Sequence, residues 1–238
     1  MSQEASKFRE RWKREGLWDR YFTPGIKVLD IGCGDDKIIP EADGWDLPQG
    51  DGQKLAGVAN ESYDILYSSH FVEHLRDPLE GLLNQWRVLR PGGYLIFLVP
   101  DEDVYEQGIW PSIFNTDHKH TYTIGKDVTW SPASRNVVDL VALLPKHKVI
   151  SMRIIDAGYD HATTQIFDQT DGPKAECAVE VIVQKEPSQL DYQTRLTQLF
   201  RCPTCKHVEF VVRGIDAEGK FDAWCKHCGA VGTLELNK

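Results

Sequence analysis

Short apolar runs alternate with segments of helical spacing from residue 26 onward. Three such runs, each bounded by turn or cap residues, are IKVLDI at 26–31, YDILYSS at 63–69 and GYLIFLVP at 93–100. Between the last two, residues 78–90 place leucines and a tryptophan near helical spacing, ahead of the Pro-Gly-Gly triplet at 91–93. This order of strand, helix and strand predicts a parallel sheet covered by helices.

The pattern continues through the second half of the main domain. It predicts a helix at about 135–144 and strands at 148–157 and 178–185. We therefore expect an α/β fold class with a Rossmann-like, doubly wound and mostly parallel sheet. Residues 101–134, rich in Asp, His, Trp and Tyr, follow the carboxyl end of a strand, where open α/β sheets usually place their ligand site.

The chain changes character at both ends. Phe8 lies four residues before Trp12, and Trp18 lies four before Phe22, which predicts two short amphipathic helical turns. They would form a flap, or simply pack on the main domain. A polar, proline-containing junction at 185–191 precedes a cysteine-bearing tail. The predicted divisions are a helical flap, a main domain and a small zinc-ribbon domain, at residues 1–24, 25–186 and 187–238.

Composition and charge indicate the size of the core, the solubility of the protein and the partners it could bind. Of the 238 residues 41% are hydrophobic, enough for one full core and a small appendage. No apolar run reaches the length of a signal peptide or a membrane span, so a soluble, cytoplasmic protein is expected. The net charge of −9 lies in residues 1–185, because residues 186–238 hold seven basic and seven acidic side chains. An acidic main domain argues against nucleic-acid binding through a broad basic face.

The first predicted strand ends in a glycine loop, VLDIGCG. Gly32 and Gly34 would let the backbone turn sharply and approach a ligand closely. Asp46, sixteen positions after Asp30, could accept hydrogen bonds from ribose hydroxyls. Lys37 stands where a dinucleotide-binding loop has its third glycine, so the expected ligand is a nucleoside without phosphates.

Pro40 stands where the helix after such a loop would still be running. A proline in a helix interior removes a hydrogen bond and clashes with the preceding turn, so a helix of about one turn is expected. The shortened helix would leave one side of the ligand pocket open. The aromatic N-terminal segment is the predicted cover.

Four segments, in this order, resemble the class I S-adenosylmethionine-dependent methyltransferases. They are VLDIGCG, GWDLPQGDGQKL, YDILYSSHFVEHL and WRVLRPGGYLIFLVP, and the similarity covers about residues 25–185. The resemblance implies S-adenosylmethionine as cofactor, with Asp30 near its ammonium group, the glycine loop along its methionine end and Asp46 on its ribose. It also implies Asp51 near the adenine amino group and Ser69 near the sulfonium. Only five positions separate Asp46 from Asp51, which leaves little room for a strand between them.

The polar stretch NTDHKHTY, in the long segment after the third strand, arrives where an acceptor should approach. Methyl transfer from a sulfonium is an in-line displacement, and a base is needed when the acceptor must lose a proton. We expect His120 or His118 as that base, with Asp117 beside them. Alternatively, Asp117 and His118 hold the loop by hydrogen bonds. His70 and His74 are further candidates.

Two other polar groups have structural explanations. The stretch VPDEDVYE, at 99–106, carries four carboxylates that could bind a hydroxylated or cationic acceptor, but a solvated charge run is the preferred interpretation. Glu73 and His74 in FVEHL could equally form the polar face of a first helical turn.

The paired DH and EHL signals resemble methyltransferases of polysaccharide and glycoconjugate biosynthesis. The resemblance implies O-methylation of a small molecule or glycan, with a sugar hydroxyl, or a phosphorylated or nucleotide-linked sugar, as acceptor. Two alternatives stay open. The first is an RNA or protein acceptor delivered by the C-terminal domain, and the second is a cofactor-binding scaffold subunit that catalyses no transfer.

The C-terminal domain carries two CxxC pairs separated by nineteen residues. At this spacing Cys202, Cys205, Cys225 and Cys228 predict a four-cysteine zinc ribbon. A domain of this size with few apolar side chains needs such a metal for stability. Basic residues interleaved with aromatic ones also allow contact with protein or nucleic acid.

Overall fold

The chain divides into two compact units, residues 1–186 and 187–238. The computed structural model describes residues 3–171, 175–187, 204–206, 210–215 and 221–234. Among these residues, no helix is both long and apolar enough to cross a membrane.

The larger unit is built on one central sheet and a small two-stranded one. Its strands are β1 (Val28–Ile31), β2 (Asp43–Trp45), β3 (Tyr63–Ser69), β4 (Leu89–Pro100), β5 (Thr121–Thr123), β6 (Ser134–Asn136), β7 (His147–Ile155) and β8 (Ala178–Lys185). The central sheet has the order β2-β1-β3-β4-β8-β7, and β5 pairs with β6. β1 to β4 pair in parallel, whereas β8 runs antiparallel to both β4 and β7. The predicted mostly parallel α/β sheet is confirmed.

In the part of this unit that the structure describes, four helices and one 3₁₀ turn accompany these strands. They are α1 (Glu4–Arg14), α2 (Trp18–Tyr21), α3 (Pro78–Val88), α4 (Val137–Ala142) and the turn Val72–His74. Helix α3 begins where Asp77 accepts a hydrogen bond from the Glu80 N–H, with Pro78 in the first turn. Its buried face carries Leu82 and Trp86 onto the core. A proper N-terminal cap and one apolar stripe thus define this helix.

The segment between β1 and β2 differs from the prediction. Residues 32–42 are all described, and they form turns and bends without a helix, so the expected single helical turn is wrong. Asp30 accepts a hydrogen bond from the Ile38 N–H at 2.6 Å, which removes that donor from any helical ladder. Pro40 has no N–H to offer. The glycine loop therefore returns to β2 as irregular chain.

Helix α1 packs where this helix is missing. Phe8 and Trp12 are fully buried, and the Phe8 ring centroid lies 5.0 Å from that of Tyr67 on β3. The Ser6 N–H donates to Asp36, in the segment after the glycine loop, at 2.8 Å. The N-terminal segment therefore packs on the main domain and contributes Phe8 and Trp12 to its core.

A buried ion network fixes the other side of α1. Arg11 donates to Glu176 at 2.8 Å and to Glu180 at 2.7 Å, and the Trp12 indole N–H donates to Glu180 at 2.8 Å. Burial lowers the pKa of the Arg11 guanidinium, but the two carboxylates outweigh it and leave that pKa raised. Arg153 on β7 also donates to Glu180, at 2.8 Å. The helix is thus tied to β8 by charge as well as by apolar packing.

In the smaller unit the described strands form an antiparallel sheet. They are β9 (Phe210–Ile215), β10 (Phe221–Cys225) and β11 (Val231–Leu234), in the order β11-β10-β9. β10 pairs with both of its neighbours, and its pairing with β9 shifts register between Asp222 and Ala223.

Candidate functional site

A cavity of about 490 Å³ opens at the carboxyl ends of β1 and β3. Its walls come from the start of α1, the glycine loop, the end of β3 and parts of the segments 105–118 and 168–170. The volume lies within the range of ligand pockets, about 300–1,000 Å³. The long polar segment after β4 therefore contributes to the site, as its position in the chain predicted.

Asp30, Gly32 and Gly34 line this cavity. Asp30 is buried, and burial, with help from neighbouring Asp36, raises its pKa to about 7 against the hydrogen bond from Ile38. Gly32 has a φ of +73°, and a Cβ atom there would lie 2.9 Å from the Phe71 ring. A side chain there would adopt a strained conformation and press against Phe71, so the position requires glycine.

Three further residues were assigned to the cofactor by resemblance. Among the described residues that line the cavity, Ser69 is present, while Asp46 and Asp51 are not. Asp46 instead accepts a hydrogen bond from the Gly34 N–H at 2.9 Å, and exposed Asp51 accepts one from the Gln53 N–H at 2.8 Å. Residues 46–51 are all described and contain no strand, as their short separation predicted.

Three histidines surround one buried glutamate at the cavity wall. The Glu73 Oε1 atom lies 3.5 Å from His70 Nδ1, 3.9 Å from His74 Nε2 and 3.9 Å from His118 Nε2. Neither carboxylate oxygen of Glu73 has a hydrogen-bond partner among the described residues. Burial alone would raise the pKa of Glu73, but the histidines, led by His70, outweigh it and lower that pKa. His70, His74 and His118 also line the cavity.

Two of these histidines are held from behind by carboxylates. His118 Nδ1 lies 2.8 Å from Glu106 Oε1, and His74 Nδ1 lies 2.9 Å from Asp117 Oδ2. In each ring the second nitrogen, Nε2, is therefore the one directed at Glu73. Of the three predicted catalytic residues, His118 lines the cavity, and Asp117 contacts and orients the His74 ring.

His120 lies elsewhere. It is buried, but it is not among the described residues that line the cavity, and neither ring nitrogen has a hydrogen-bond partner among the described residues. Burial and the nearby Arg135 lower the pKa of its imidazole. The structure therefore separates His118 from His120, which the sequence could not do.

The carboxylates of the 99–106 stretch are mostly not solvated. Asp101, Glu102 and Glu106 are each at most 2% exposed, so the preferred interpretation as a solvated charge run is wrong for three of the four. Glu102 accepts hydrogen bonds from Lys126 and Ser134, each within 2.7 Å. The sequence did not predict the contact of Glu106 with His118, because a glutamate twelve residues before a histidine gives no local signal of such a contact.

In the smaller unit three of the four predicted zinc ligands lie together. The sulfur atoms of Cys205, Cys225 and Cys228 are within 4.8 Å of one another. The Gly229 N–H donates to the Cys225 carbonyl at 3.0 Å, and Gly229 has a φ of +72°. This tight turn brings Cys225 and Cys228 together. Cys202 lies outside the described residues.

Comparison with known proteins agrees with this architecture. Residues 39–97 match the sequence profile of a family described as a methyltransferase domain. No curated protein sequence matches the chain. A solved structure of an S-adenosylmethionine-dependent methyltransferase from Archaeoglobus fulgidus is 16% identical, with a TM-score of 0.50 over 76% of this chain and 94% of that one.

A second solved structure belongs to work on the conversion of a disulfide bond into a thioacetal group during echinomycin biosynthesis. It is 14% identical, with a TM-score of 0.50 over 82% of this chain and 90% of that one. At such identities the likeness concerns the fold alone, while the family match concerns the segment that contains β2, β3, α3 and most of β4. A segment that matches a methyltransferase domain thus lies within a fold like that of a solved S-adenosylmethionine-dependent methyltransferase.

Proposed function

We propose that this chain is an S-adenosylmethionine-dependent methyltransferase that transfers the methyl group to a hydroxyl of a neutral small molecule or glycan, with a sugar hydroxyl as the acceptor. One observation carries the proposal. The cavity that the glycine loop lines is also lined by His70, His74 and His118, which gather around a buried carboxylate. The glycine loop, which would hold the cofactor, and the histidines, which could accept a proton, therefore line the same cavity.

The cofactor half of the cavity fits a sulfonium nucleoside. Asp30 supplies a carboxylate for the ammonium group, and the glycine backbone allows close approach. The buried hydroxyls of Tyr67 and Ser69 line the cavity and have no hydrogen-bond partner among the described residues, which leaves them available to a ligand. When bound, S-adenosylmethionine supplies an electrophilic methyl group on sulfur. Asp46 would bind the ribose by exchanging its hydrogen bond with Gly34.

The acceptor half favours oxygen over nitrogen. A neutral amine attacks a sulfonium without help, whereas a hydroxyl must lose its proton during transfer. His118, oriented by Glu106 behind it, has the arrangement of a base held by a carboxylate. His70 also lines the cavity, and it directly follows β3, the strand that pairs with β1 ahead of the glycine loop.

The negative charge of the cavity wall restricts which class of acceptor could bind. Carboxylates of the cavity wall include Glu4, Asp35, Asp36 and Asp168, whereas no Lys or Arg is among the described lining residues. Such a wall repels phosphate and supports a neutral acceptor rather than a phosphorylated or nucleotide-linked sugar. Aromatic rings, from Tyr105 and Phe114, can pack on the apolar face of a sugar.

His118→Gln is expected to lower kcat by about 10²–10⁴-fold, the usual contribution of a positioned base or electrophile. The assay uses the full chain, S-adenosylmethionine and a panel of neutral sugars and glycosides, with mass spectrometry to detect the added methyl group. Affinity for S-adenosylhomocysteine should stay within about threefold, because His118 faces the acceptor.

His147→Gln provides the control, since His147 begins β7 at the opposite end of the sheet from the cavity. It should retain wild-type turnover. Equal losses in His118→Gln and His147→Gln would contradict the assignment. A loss confined to His120→Gln would instead restore the alternative base from the sequence.

For the smaller unit we propose a zinc ion held by Cys202, Cys205, Cys225 and Cys228. Support comes from the three clustered sulfur atoms and the glycine knuckle, since zinc takes thiolates at tetrahedral spacing. Four thiolates complete the coordination, so this metal would stabilise the unit rather than take part in transfer. An RNA or protein acceptor delivered by the ribbon remains the alternative role.

Cys225→Ser is expected to reduce the zinc content from one ion per chain to well below half, because one missing thiolate opens the site. Elemental analysis after dialysis measures the content. Transfer to a small hydroxylated acceptor should continue in the variant. Wild-type zinc content in Cys225→Ser would refute the ligand set, whereas loss of transfer only to RNA or protein would favour the alternative role.

A further inference from the structure

Glu73 is the unexplained group of this site. Its side chain is fully buried, and neither oxygen has a hydrogen-bond partner among the described residues. Burying a carboxylate without hydrogen bonds is strongly unfavourable, so such a group normally marks a missing partner. The nearest groups are the nitrogens of three histidines.

The hydrogen bonds of two histidines show what that partner requires. Each places its Nδ1 against a carboxylate, His118 on Glu106 at 2.8 Å and His74 on Asp117 at 2.9 Å, which favours a proton on Nδ1. In a neutral ring Nε2 then presents a lone pair toward the Glu73 oxygen. A ring protonated at both nitrogens could donate to Glu73, but the separations of 3.9 Å exceed hydrogen-bonding distance. Two lone pairs and one anionic oxygen therefore converge at His74, His118 and Glu73, and the remaining neighbour, His70 Nδ1, lies 3.5 Å from Glu73.

We propose that Glu73, His74 and His118 bind a divalent transition-metal ion at the wall of the cavity. Their three ligand atoms lie within 4.8 Å of one another. Two ligand atoms about 2.1 Å from a metal at the tetrahedral angle are roughly 3.4 Å apart, so small side-chain adjustments would complete the site. Two imidazoles and one carboxylate suit Zn²⁺, Mn²⁺, Fe²⁺ or Co²⁺.

The groups behind the ligands fit the same assignment. A metal-bound histidine usually donates its other N–H to a carboxylate, which fixes the ring and increases the basicity of the coordinating nitrogen. Glu106 and Asp117 occupy this position for His118 and His74. Glu106 is itself buried, so the hydrogen bond is shielded from water.

The role of the metal rests on the proposed function. Three protein ligands leave a coordination position open, and His74 and His118 line the cavity that the acceptor would enter. A metal-bound hydroxyl is more acidic and is held in place for attack. The acceptor oxygen bonds to the methyl carbon, the sulfur keeps the electron pair of the broken S–C bond, and the hydroxyl proton passes to His70. His118 then acts as a metal ligand rather than as the base.

His70 also has unusual backbone geometry. It is a non-glycine residue with a φ of +51°, held by its N–H bond to the Leu98 carbonyl at 3.0 Å. Such a conformation is strained for a residue other than glycine and is characteristic of functional sites. It places the His70 ring between Glu73, 3.5 Å from Nδ1, and Glu4, 3.7 Å from Nε2.

Mn²⁺ binding tests the site, because Mn²⁺ prefers oxygen and nitrogen ligands and competes poorly for thiolates. The full chain is dialysed against a chelator, given one equivalent of Zn²⁺ for the cysteine cluster, and titrated with Mn²⁺ while electron paramagnetic resonance follows the free ion. We expect one tight Mn²⁺ site per chain. Glu73→Gln and His118→Gln should each weaken it at least tenfold.

Glu102→Gln and His147→Gln are the matched controls, a buried glutamate and a histidine outside the cluster, and both should bind Mn²⁺ like the wild type. Thermal unfolding gives a second measurement: Mn²⁺ should raise the midpoint of the wild type but not that of Glu73→Gln. Wild-type Mn²⁺ affinity in Glu73→Gln and His118→Gln, or equal losses in the controls, would overturn the site. Methyl transfer to hydroxyls without any Mn²⁺ binding would overturn the metal and leave the proposed function standing.

Discussion

Trp12→Ala is expected to lower the free energy of unfolding by about 3–5 kcal/mol, the usual cost of removing a buried tryptophan. Trp12 is fully buried, and its ring centroids lie 4.3 Å from Phe8 and 5.0 Å from Tyr21. The substitution also removes an N–H donor from buried Glu180, which adds a penalty of the same sign. Chemical denaturation followed by circular dichroism measures the change.

Trp130→Ala is the control, because Trp130 is 36% exposed. Its loss should change the free energy of unfolding by about 1 kcal/mol or less. Similar effects of the two substitutions would show that α1 does not belong to the core. Because Glu4 and Ala5 at the start of α1 line the cavity, Trp12→Ala should also weaken S-adenosylhomocysteine binding.

Asp30→Asn is expected to weaken S-adenosylhomocysteine binding by about 10–150-fold, since a hydrogen bond to a charged group contributes about 1.5–3 kcal/mol. The amide can still occupy the carboxylate's place in the buried loop, so folding should be retained. Isothermal titration calorimetry measures the affinity. An unchanged affinity would exclude Asp30 as the partner of the ammonium group.

The pH dependence gives a second measurement at the same residue. Burial raises the pKa of Asp30 to about 7, so the folded protein without ligand prefers the neutral acid. Protonated Asp30 stabilises the folded protein relative to the ionised form. Its contribution to the free energy of unfolding is complete below the unfolded pKa of about 3.9 and is lost as the pH rises through about 7. A bound ammonium group favours the carboxylate instead. Affinity should therefore rise by up to about tenfold per pH unit between about pH 5.5 and 7 in the wild type, and stay flat in Asp30→Asn.

Much of the sheet was predictable because its inner strands, such as β3 and β8, are buried over most of their length. The run YDILYSS became β3 with its bounds as predicted, and AVEVIVQK became β8. The helix after the glycine loop was not predictable in detail. Pro40 indicated a break, but the loss of the whole turn depends on Asp30 binding the Ile38 N–H and on α1 filling the space.

The residues of the candidate site were likewise only partly predictable from the sequence. Asp30, Gly32 and Gly34 were predicted from the loop, because close backbone approach requires glycine at fixed positions beside the strand end. The contact of His118 with Glu106 joins two parts of an irregular segment that no periodicity describes. Glu73 was recognised only as a polar turn residue, since its burial depends on what packs over it.

The sequence by itself determined the strands, the glycine loop and the methyltransferase resemblance, because apolar periodicity and glycine requirements act over a few neighbouring residues. Only the tertiary structure decided which polar side chains meet. Residues 4, 30, 73, 106 and 118 are far apart in the chain, and the fold gathers them because parallel strands end at one edge of the sheet. Burial then determines their chemistry: it gives Asp30 a pKa near neutrality and leaves Glu73 without a hydrogen-bond partner among the described residues.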